Sequence, residues 1–349
     1  MFATENFLGE GGCSNVYLPG GKQVAVKILK HYKEARNDFS LEVDIISSLK
    51  HKHITPQIGI CVEDDHLILV YDFLSKGSLE ERLQGKCRYS SINGDAGNSR
   101  KSVLSWKVRF KMAIEIAETL NHLHNECPRP VIHRDIKSSN ILPSNHFQPQ
   151  VLLYMILGLP HGDLLIQRMQ HIMMLLELFG YIAPEYFMYG RVSDKIDVYS
   201  FGIVRLELLT GKKPIISTGL KEQENLVKGP AGNAIIRERE SKSFAGPEDG
   251  LRDFDIVQMQ RIVVAATLCV GQTARVRPKV SRQLNCDMIV LTMPIKDLKL
   301  ELLRGEKGER DWVNSYANDL KKSSDEEFDD LFLEFGCKPC VGAFISGIR

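Results

Sequence analysis

The sequence of 349 residues carries a formal net charge of +1, with 43% hydrophobic and 26% charged residues. A chain of this size and composition can bury a large globular core, and it is long enough for two lobes and a tail. The near-neutral charge excludes a general field for nucleic acid or anionic lipid. The eight cysteines follow no disulfide-framework spacing, which indicates a reducing, cytoplasmic setting.

The apolar runs of the sequence are too short for a bilayer. The longest, near residues 151–159 and 262–270, fall short of the ~18–20 residues that a spanning helix needs. The start of the chain shows no signal peptide, and no glycine follows Met1 for myristoylation. We therefore expect no transmembrane segment, with a peripheral position at the plasma membrane left open.

The first element in chain order is a glycine-rich segment, Gly9–Val16, between two strand-like runs. Glycines let the backbone pass close to phosphate groups and direct amide hydrogens at them. Ser14 stands where a G-x-G-x-x-G pattern has its third glycine, and the segment alone favours an ordinary hairpin. The alternating strand Val24–Lys27 follows and ends in a lysine.

The remaining elements follow from apolar spacing. The pattern over residues 39–49, which contains Glu42, predicts a helix, and the run Leu67–Leu74 predicts a buried strand. Residues 85–103 are rich in Gly, Ser, Asn and charge and predict a surface loop. Long core helices are predicted from Trp106 to Leu123 and over 256–270, and a partly flexible tail is predicted over 291–349.

Between the two core helices lies the segment His133–Asn140, with the sequence His-Arg-Asp-Ile-Lys-Ser-Ser-Asn. Asp135 and Asn140 stand five residues apart, with Lys137 between them. These side chains put a proton acceptor, an ammonium group and a metal-ligand oxygen on one short loop. The combination indicates phosphoryl transfer.

The glycine-rich segment, the strand that ends in Lys27 and the loop His133–Asn140 resemble the motifs of protein kinases, and they occur in the same order. Gly180–Glu185 and Asp194–Gly202 resemble two further kinase motifs. Leu206–Pro214 resembles the receptor-like kinases of plants in particular, including their cytoplasmic members. The resemblance covers roughly residues 2–150 and 179–290. Within it, a lysine two residues after the loop aspartate is the serine/threonine form of the catalytic loop.

The resemblance implies an α+β, two-lobed protein-kinase-like fold. A small β-rich N-lobe is expected at residues 1–74, with the glycine-rich loop and the hinge, and a larger helical C-lobe at residues 75–290. The implied activity is transfer of the γ-phosphate of ATP to serine and threonine hydroxyls of proteins, with Mg²⁺. The implied partners are protein substrates and an upstream receptor kinase or small signalling protein.

The resemblance also implies roles for individual residues. Asp135 would accept the proton of the substrate hydroxyl, Lys137 would face the γ-phosphate, and Asn140 would hold magnesium. Lys27 would bind the α- and β-phosphates and form an ion pair with Glu42. The nucleotide contacts implied in this way are Gly9, Gly11, Gly12, Val16, Ala25, Lys27, Tyr71, Asp72, Leu74 and Asn140.

Five further residues have structural roles by the same resemblance. Glu185 would pair with Arg277 late in the C-lobe. Asp197 would hold the backbone of the catalytic loop, to which His133 and Arg134 belong.

One motif of the family is absent. Between the catalytic loop and Gly180, a kinase presents Asp-Phe-Gly, whose aspartate binds the magnesium at the nucleotide phosphates. This chain has no Asp-Phe-Gly, and aligning Gly158 with the motif glycine puts Ile156 where the aspartate belongs. Loss of that carboxylate is expected to remove most phosphoryl transfer.

The same stretch departs from the family in a second way. Residues 145–192 contain no serine or threonine, although Arg134 beside Asp135 implies an activation loop that phosphorylation switches. Residues 164–179 instead form an apolar run unsuited to an exposed segment.

A shifted reading frame accounts for both departures. One permitted codon choice for Tyr154–Asp163 encodes Tyr-Asp-Phe-Gly-Leu-Ala-Pro-Trp-Gly in a second frame, and that frame can turn Met174–Phe179 into Asp-Val-Val-Gly-Thr-Phe. Our hypothesis is that residues 151–179 are a frame-shifted stretch inside an otherwise intact kinase. Two alternatives stay open: a pseudokinase or scaffold with impaired or absent transfer, and a chain that the altered segment prevents from folding stably.

Overall fold

The structure is a computed structural model that describes residues 7–11, 14–18, 24–29, 49–63, 66–85, 104–153, 180–217, 223–226 and 255–281. Several sequence predictions lie outside these residues, and no structural account of them follows. They are all but the last residue of the helix over 39–49, almost all of the loop over 85–103, nearly all of the altered stretch at 151–179 and the tail at 291–349.

The N-terminal part is a five-stranded antiparallel sheet in the order β1-β2-β3-β5-β4. The central strand, β3, is the predicted strand that ends its alternating run in Lys27, and its Val26 is 1% exposed. The glycine-rich segment forms the β1–β2 hairpin, as the sequence predicts. The strands are β1 (Phe7–Gly11), β2 (Ser14–Tyr17), β3 (Val24–Leu29), β4 (Gln57–Glu63) and β5 (His66–Asp72).

Strand β5 ends earlier than the sequence predicts. Its last residue is Asp72, so Phe73 and Leu74 follow the strand instead of belonging to it. The reason is the length of the neighbouring strand, because Asp72 pairs with Val24, the first residue of β3. On the other side of β5, β4 begins at Gln57 opposite Tyr71, so neither strand that pairs with β5 has a residue of its own beyond Asp72.

The C-terminal part is built from helices with two small hairpins. The long helices confirm the apolar spacing at 106–121 and 256–269. Among the residues that the structure describes, no helix is both long enough and apolar enough to span a membrane. The elements are α1 (Leu79–Leu83), α2 (Trp106–Asn121), β6 (Ile141–Pro143), β7 (Pro149–Val151), α3 (Pro184–Tyr189), α4 (Asp194–Thr210), β8 (Ile215–Ser217), β9 (Gln223–Asn225) and α5 (Ile256–Cys269).

Helix α4 forms the centre of this part, since every residue from Ile196 to Leu209 is buried. A helix that is buried on all sides needs neighbours around its whole circumference. One neighbour is α5, and Gly202 allows its close approach, because a Cβ at that position would lie 2.6 Å from the Cβ of Cys269. The helix ends at Gly211, whose φ of 68° is in the left-handed region that glycine adopts freely.

Helix α2 packs against both α4 and α5. The Arg109 side chain is 2% exposed and donates through Nη1 to the Leu208 carbonyl of α4, at 3.1 Å. The indole Nε1 of Trp106 donates to Oε1 of Gln258 on α5, at 3.0 Å. These contacts fix the start of α2, and the chain that leaves the other end of the helix leads into the segment His133–Asn140.

Candidate active site

The backbone of the loop His133–Asn140 is strained at one residue. Arg134 has φ 65°, a left-handed conformation that costs a residue with a Cβ roughly 1–2 kcal/mol. Asp197 of α4 stabilises this conformation by two hydrogen bonds. Its Oδ1 accepts a hydrogen bond from the Arg134 amide at 2.8 Å, and its Oδ2 accepts one from the His133 amide at 2.8 Å. Asp197 is 0% exposed, so both charge-assisted hydrogen bonds have a buried acceptor.

The His133 ring is a buried, neutral part of the same loop. Its Nδ1 accepts from the Asp135 amide at 3.2 Å, so the hydrogen of the neutral ring is on Nε2. That Nε2 lies 3.1 Å from the Leu152 carbonyl and donates to it. Burial lowers the pKa of His133, which favours this neutral form. The ring thus ties the loop to residue 152, at the start of the altered stretch.

The three polar side chains of the loop lie together. Lys137 Nζ is 3.1 Å from Oδ1 of Asp135. Asn140 donates through Nδ2 to Oδ2 of Asp135 at 2.8 Å and to the Asp135 carbonyl at 2.9 Å. The Asp135 carboxylate is therefore oriented from both sides. Its side chain is 10% exposed and that of Lys137 is 23% exposed, so water has limited access to both.

The strand registers line up one row of predicted nucleotide contacts. Gly9 of β1 pairs with Val16 of β2, and Val16 pairs with Lys27 of β3. Gly11 lies further along the hairpin, opposite Ser14. The Lys27 side chain is only 3% exposed, and lysines are almost never buried this far without a partner. A glycine, a half-buried valine and a buried cation thus share one row of the sheet.

A second group of predicted contacts lies at the other end of β3. Ala25 pairs with Tyr71, and Val24 pairs with the exposed Asp72. The Tyr71 hydroxyl donates to the Leu153 carbonyl at 3.1 Å, and burial raises the pKa of that hydroxyl. The bond links the sheet to the chain that follows the catalytic loop. Leu74, just beyond the strand, is half-buried.

Two predicted site residues lie outside the described residues. They are Gly12 and Glu42, and the predicted ion pair between Lys27 and Glu42 stays a prediction.

Glu185 and Arg277 form a two-pronged ion pair. Arg277 Nη1 is 2.6 Å from Oε1 of Glu185, and Nη2 is 2.7 Å from Oε2. The guanidinium is buried, stacks 4.9 Å from the ring centre of Tyr199 and donates through Nε to the Gly271 carbonyl at 2.7 Å. Such a bidentate pair fixes direction as well as distance. It attaches the start of α3 to the chain after α5.

A concave surface adjoins the Asp135 carboxylate. Asp135 and Ile136 form one wall, and Ile182, Ala183 and Tyr186 form the other. The second wall is largely apolar and begins two residues after Gly180.

Comparison with known proteins assigns the family. Residues 3–234 match the family described as protein tyrosine and serine/threonine kinase. The chain belongs to this family. It is 42% identical over 335 residues to Protein kinase STUNTED of Arabidopsis thaliana, a match that covers 94% of this chain and 47% of that protein. It is 36% identical over 288 residues to Proline-rich receptor-like protein kinase PERK1 of Arabidopsis thaliana, covering 80% of this chain and 41% of that protein.

These relatives confirm the resemblance to plant receptor-like kinases and the two-lobed kinase fold. The chain spans about half the length of the relatives it matches. Activity, substrates and partners of the whole protein are therefore proposals.

The described residues fit ATP better than they fit magnesium. The row from Gly9 to Lys27 offers close backbone and a buried cation, which suit phosphate groups. Magnesium requires several oxygen ligands, among which carboxylates are preferred. Asp135 is already bonded to Lys137 and Asn140, and no group of three or more His, Cys, Asp or Glu suited to a metal exists among the described residues. Among the described residues, the set of magnesium ligands is therefore incomplete.

Sequence reasoning missed one buried cluster next to the loop. Ser138, Tyr181 and Glu207 contact one another, and Glu207 is 2% exposed. Ser138 and Tyr181 entered the sequence analysis only as members of longer motifs. A signal was present, since Glu207 is an acid in the run Ile203–Leu209, whose other residues are apolar except Arg205.

Proposed function

We propose that this chain is the catalytic part of a serine/threonine protein kinase, which transfers the γ-phosphate of ATP to hydroxyl groups of proteins. The observation that carries the proposal is the loop His133–Asn140. It places an ammonium group and an amide within 3.1 Å of one carboxylate, on a backbone that Asp197 holds in a strained form.

The roles of the loop residues follow from their chemistry. The substrate hydroxyl oxygen forms the new bond to the γ-phosphorus while the bond from that phosphorus to ADP breaks, and the hydroxyl proton passes to the Asp135 carboxylate. Lys137 lies 3.1 Å from this carboxylate and neutralises charge on the transferred phosphoryl group. Asn140 fixes Asp135 through Nδ2 and is the residue we assign as a remaining metal ligand.

The nucleotide would lie under the sheet. We assign its phosphates to Lys27, Gly9, Gly11 and Gly12, with Glu42 as the ion-pair partner of the lysine. The register that places Gly9, Val16 and Lys27 in one row supports this assignment. The adenine contacts we assign are Val16, Ala25, Tyr71, Asp72 and Leu74.

We propose structural roles for His133, Arg134, Glu185, Asp197 and Arg277, and the bonds of Asp197 to the loop and the Glu185–Arg277 ion pair support them. The remaining assignments rest on the family alone. The proposed partners are protein substrates and an upstream receptor kinase or small signalling protein. The proposed setting is the cytoplasm, including its membrane-facing edge.

A second candidate function is a pseudokinase or scaffold that binds partners without transferring phosphate. The absence of Asp-Phe-Gly between Asn140 and Gly180 favours it. A chain of this kind can retain nucleotide binding, since the phosphate-facing residues are present. The two candidates therefore differ in transfer and not in binding.

Asp135→Asn is expected to lower phosphate transfer about 10²–10⁴-fold, because the amide cannot accept the hydroxyl proton. The measurement is labelling of casein and of the chain itself by radioactive ATP. A thermal shift with ATP, with and without magnesium, reports binding separately. Asp255→Asn is the matched control, since Asp255 caps α5 away from the loop and asparagine also caps helices. Equal labelling by the native chain and Asp135→Asn, with nucleotide binding intact, would favour the scaffold.

A further inference from the structure

The buried cluster beside the loop is a closed ring of three groups. Ser138 Oγ is 2.8 Å from Oε1 of Glu207, and Tyr181 Oη is 2.7 Å from Oε2. The two hydroxyl oxygens are 3.0 Å from each other. Every contact is buried, and the ring joins the catalytic loop, the chain before α3 and helix α4.

Three such contacts require three hydrogen atoms, one between each pair of oxygens. If Glu207 is ionised, the hydroxyl groups of Ser138 and Tyr181 supply only two hydrogens, and both point at the carboxylate. The 3.0 Å contact between the hydroxyl oxygens then has no hydrogen and is repulsive. If Glu207 is protonated, the carboxyl donates to Tyr181, Tyr181 donates to Ser138, and Ser138 donates back to the carboxyl. Each group gives and accepts one hydrogen bond in this arrangement.

The groups around the ring agree with a protonated acid. The charged groups that face Glu207 are Glu80 of α1, which raises its pKa, and Lys213 after α4, which lowers it. These two bind each other at 2.7 Å, so their opposite effects on Glu207 partly cancel. Burial, as the main cause, raises the pKa of Glu207 to about 8, while the bonds from Tyr181 and Ser138 act in the opposite direction.

Tyr181 is also attached to α4 by its backbone. Its carbonyl accepts a hydrogen bond from Ser200 Oγ at 2.8 Å. The residue before it, Gly180, lies so close to Pro214 that a Cβ would approach the proline Cβ to 2.5 Å. The second wall of the concave surface starts at Ile182, so its position is fixed by Tyr181, the same residue that completes the ring.

We propose that Glu207 carries a proton at neutral pH and acts as a positioning residue, which holds the catalytic loop against residues 180–183 through Ser138 and Tyr181. Glu207 touches neither substrate nor nucleotide in this proposal. The inference deepens the proposed function, since the loop it holds is the proposed catalytic loop. The test measures the protection of the loop backbone and needs no phosphate transfer. A negative result for the ring can therefore be told apart from a negative result in the enzyme assay.

Loss of the proton is expected to loosen the loop in alkali. Below about pH 8 the ring has all its hydrogens, and above it the contact between Ser138 and Tyr181 loses its hydrogen. Glu207→Gln keeps a neutral group with one acceptor and one donor, which can bond to Ser138 and Tyr181 at every pH. The variant therefore mimics the protonated acid.

The experiment is amide hydrogen exchange of the peptide covering residues 136–141, in the native chain and Glu207→Gln, at pH 6 and pH 9. Rates are divided by those of the same peptide without structure, which removes the intrinsic effect of pH. We expect equal protection at pH 6 and about fivefold faster exchange in the native chain at pH 9, the size expected for one lost hydrogen bond. Equal protection at both pH values, or faster exchange in Glu207→Gln at both, would overturn the proposal.

A control and a second readout separate this effect from general instability. Glu115→Gln removes another acid whose pKa burial raises, on α2 and outside the ring, and we expect native exchange of residues 136–141 at both pH values.

The raised pKa of Glu207 means that the native chain holds an extra proton relative to the unfolded chain between about pH 4.5 and 8. The melting temperature of the native chain should therefore fall relative to that of Glu207→Gln as the pH rises through that window. A constant difference between the two would contradict protonation.

Discussion

Ile156→Asp/Leu157→Phe, a double variant that creates Asp-Phe-Gly at residues 156–158, is expected to transfer phosphate at least about a hundredfold faster than the native chain. A carboxylate ligand for the metal at the nucleotide phosphates contributes several kcal/mol to the transition state, and each 1.36 kcal/mol is about a factor of ten in rate. The measurement is the initial rate of casein labelling at saturating ATP and magnesium.

Ile156→Asn/Leu157→Phe is the matched control for that result. It has the same size and the same phenylalanine, but its amide carries no negative charge for the metal. We expect little gain from it. If both variants stay as slow as the native chain while ATP still raises their melting temperatures, the missing carboxylate is not what limits transfer.

The nucleotide sequence gives an independent check on the origin of the altered stretch. We expect the codons for residues 145–182 to encode Tyr-Asp-Phe-Gly in a second frame, followed in the same frame by Asp-Val-Val-Gly-Thr-Phe. Sequencing the transcript measures this directly. Codons that yield Asp-Phe-Gly in no frame would contradict a frame shift and favour a true pseudokinase.

Asp197→Ala is expected to lower the free energy of unfolding by about 3–5 kcal/mol, the range for removing one member of a buried charged network. Two backbone amides, those of His133 and Arg134, lose their acceptor, and so does the His124 ring, whose Nε2 is 2.8 Å from the carboxylate. The strained φ of Arg134 also loses the bond that holds it. Equilibrium urea unfolding measures the change.

Asp194→Ala is the control on the same helix. Asp194 lies about one turn earlier on α4 and is only half-buried. Among the described residues, its side chain forms no hydrogen bond to the loop. We expect a loss of about 1 kcal/mol or less, the usual size of a charge effect at a helix start. Similar losses for both variants would mean that Asp197 acts through helix stability and not through the loop.

Much of the fold could be predicted because its signals are local. The alternation that ends in Lys27 predicted β3, and the apolar spacing after Trp106 predicted α2, since periodicity depends only on neighbours along the chain. The end of β5 was predicted wrongly. The run continues to Leu74 in the sequence, but the ladder stops at Asp72 because β3 begins opposite that residue, and only pairing can show this.

The sequence by itself determined the family, the order of the motifs, the residues of the catalytic loop and the missing Asp-Phe-Gly, because each of these is a matter of residue identity and spacing. Only the tertiary structure decided the left-handed backbone of Arg134, its bond to Asp197 across 63 positions, and the ring that joins Ser138 to Glu207 across 69. Bonds over such distances leave no periodic pattern. They exist because α4 carries two buried acids, Asp197 and Glu207, and a buried acid requires hydrogen-bond partners, some of which the folded loop provides.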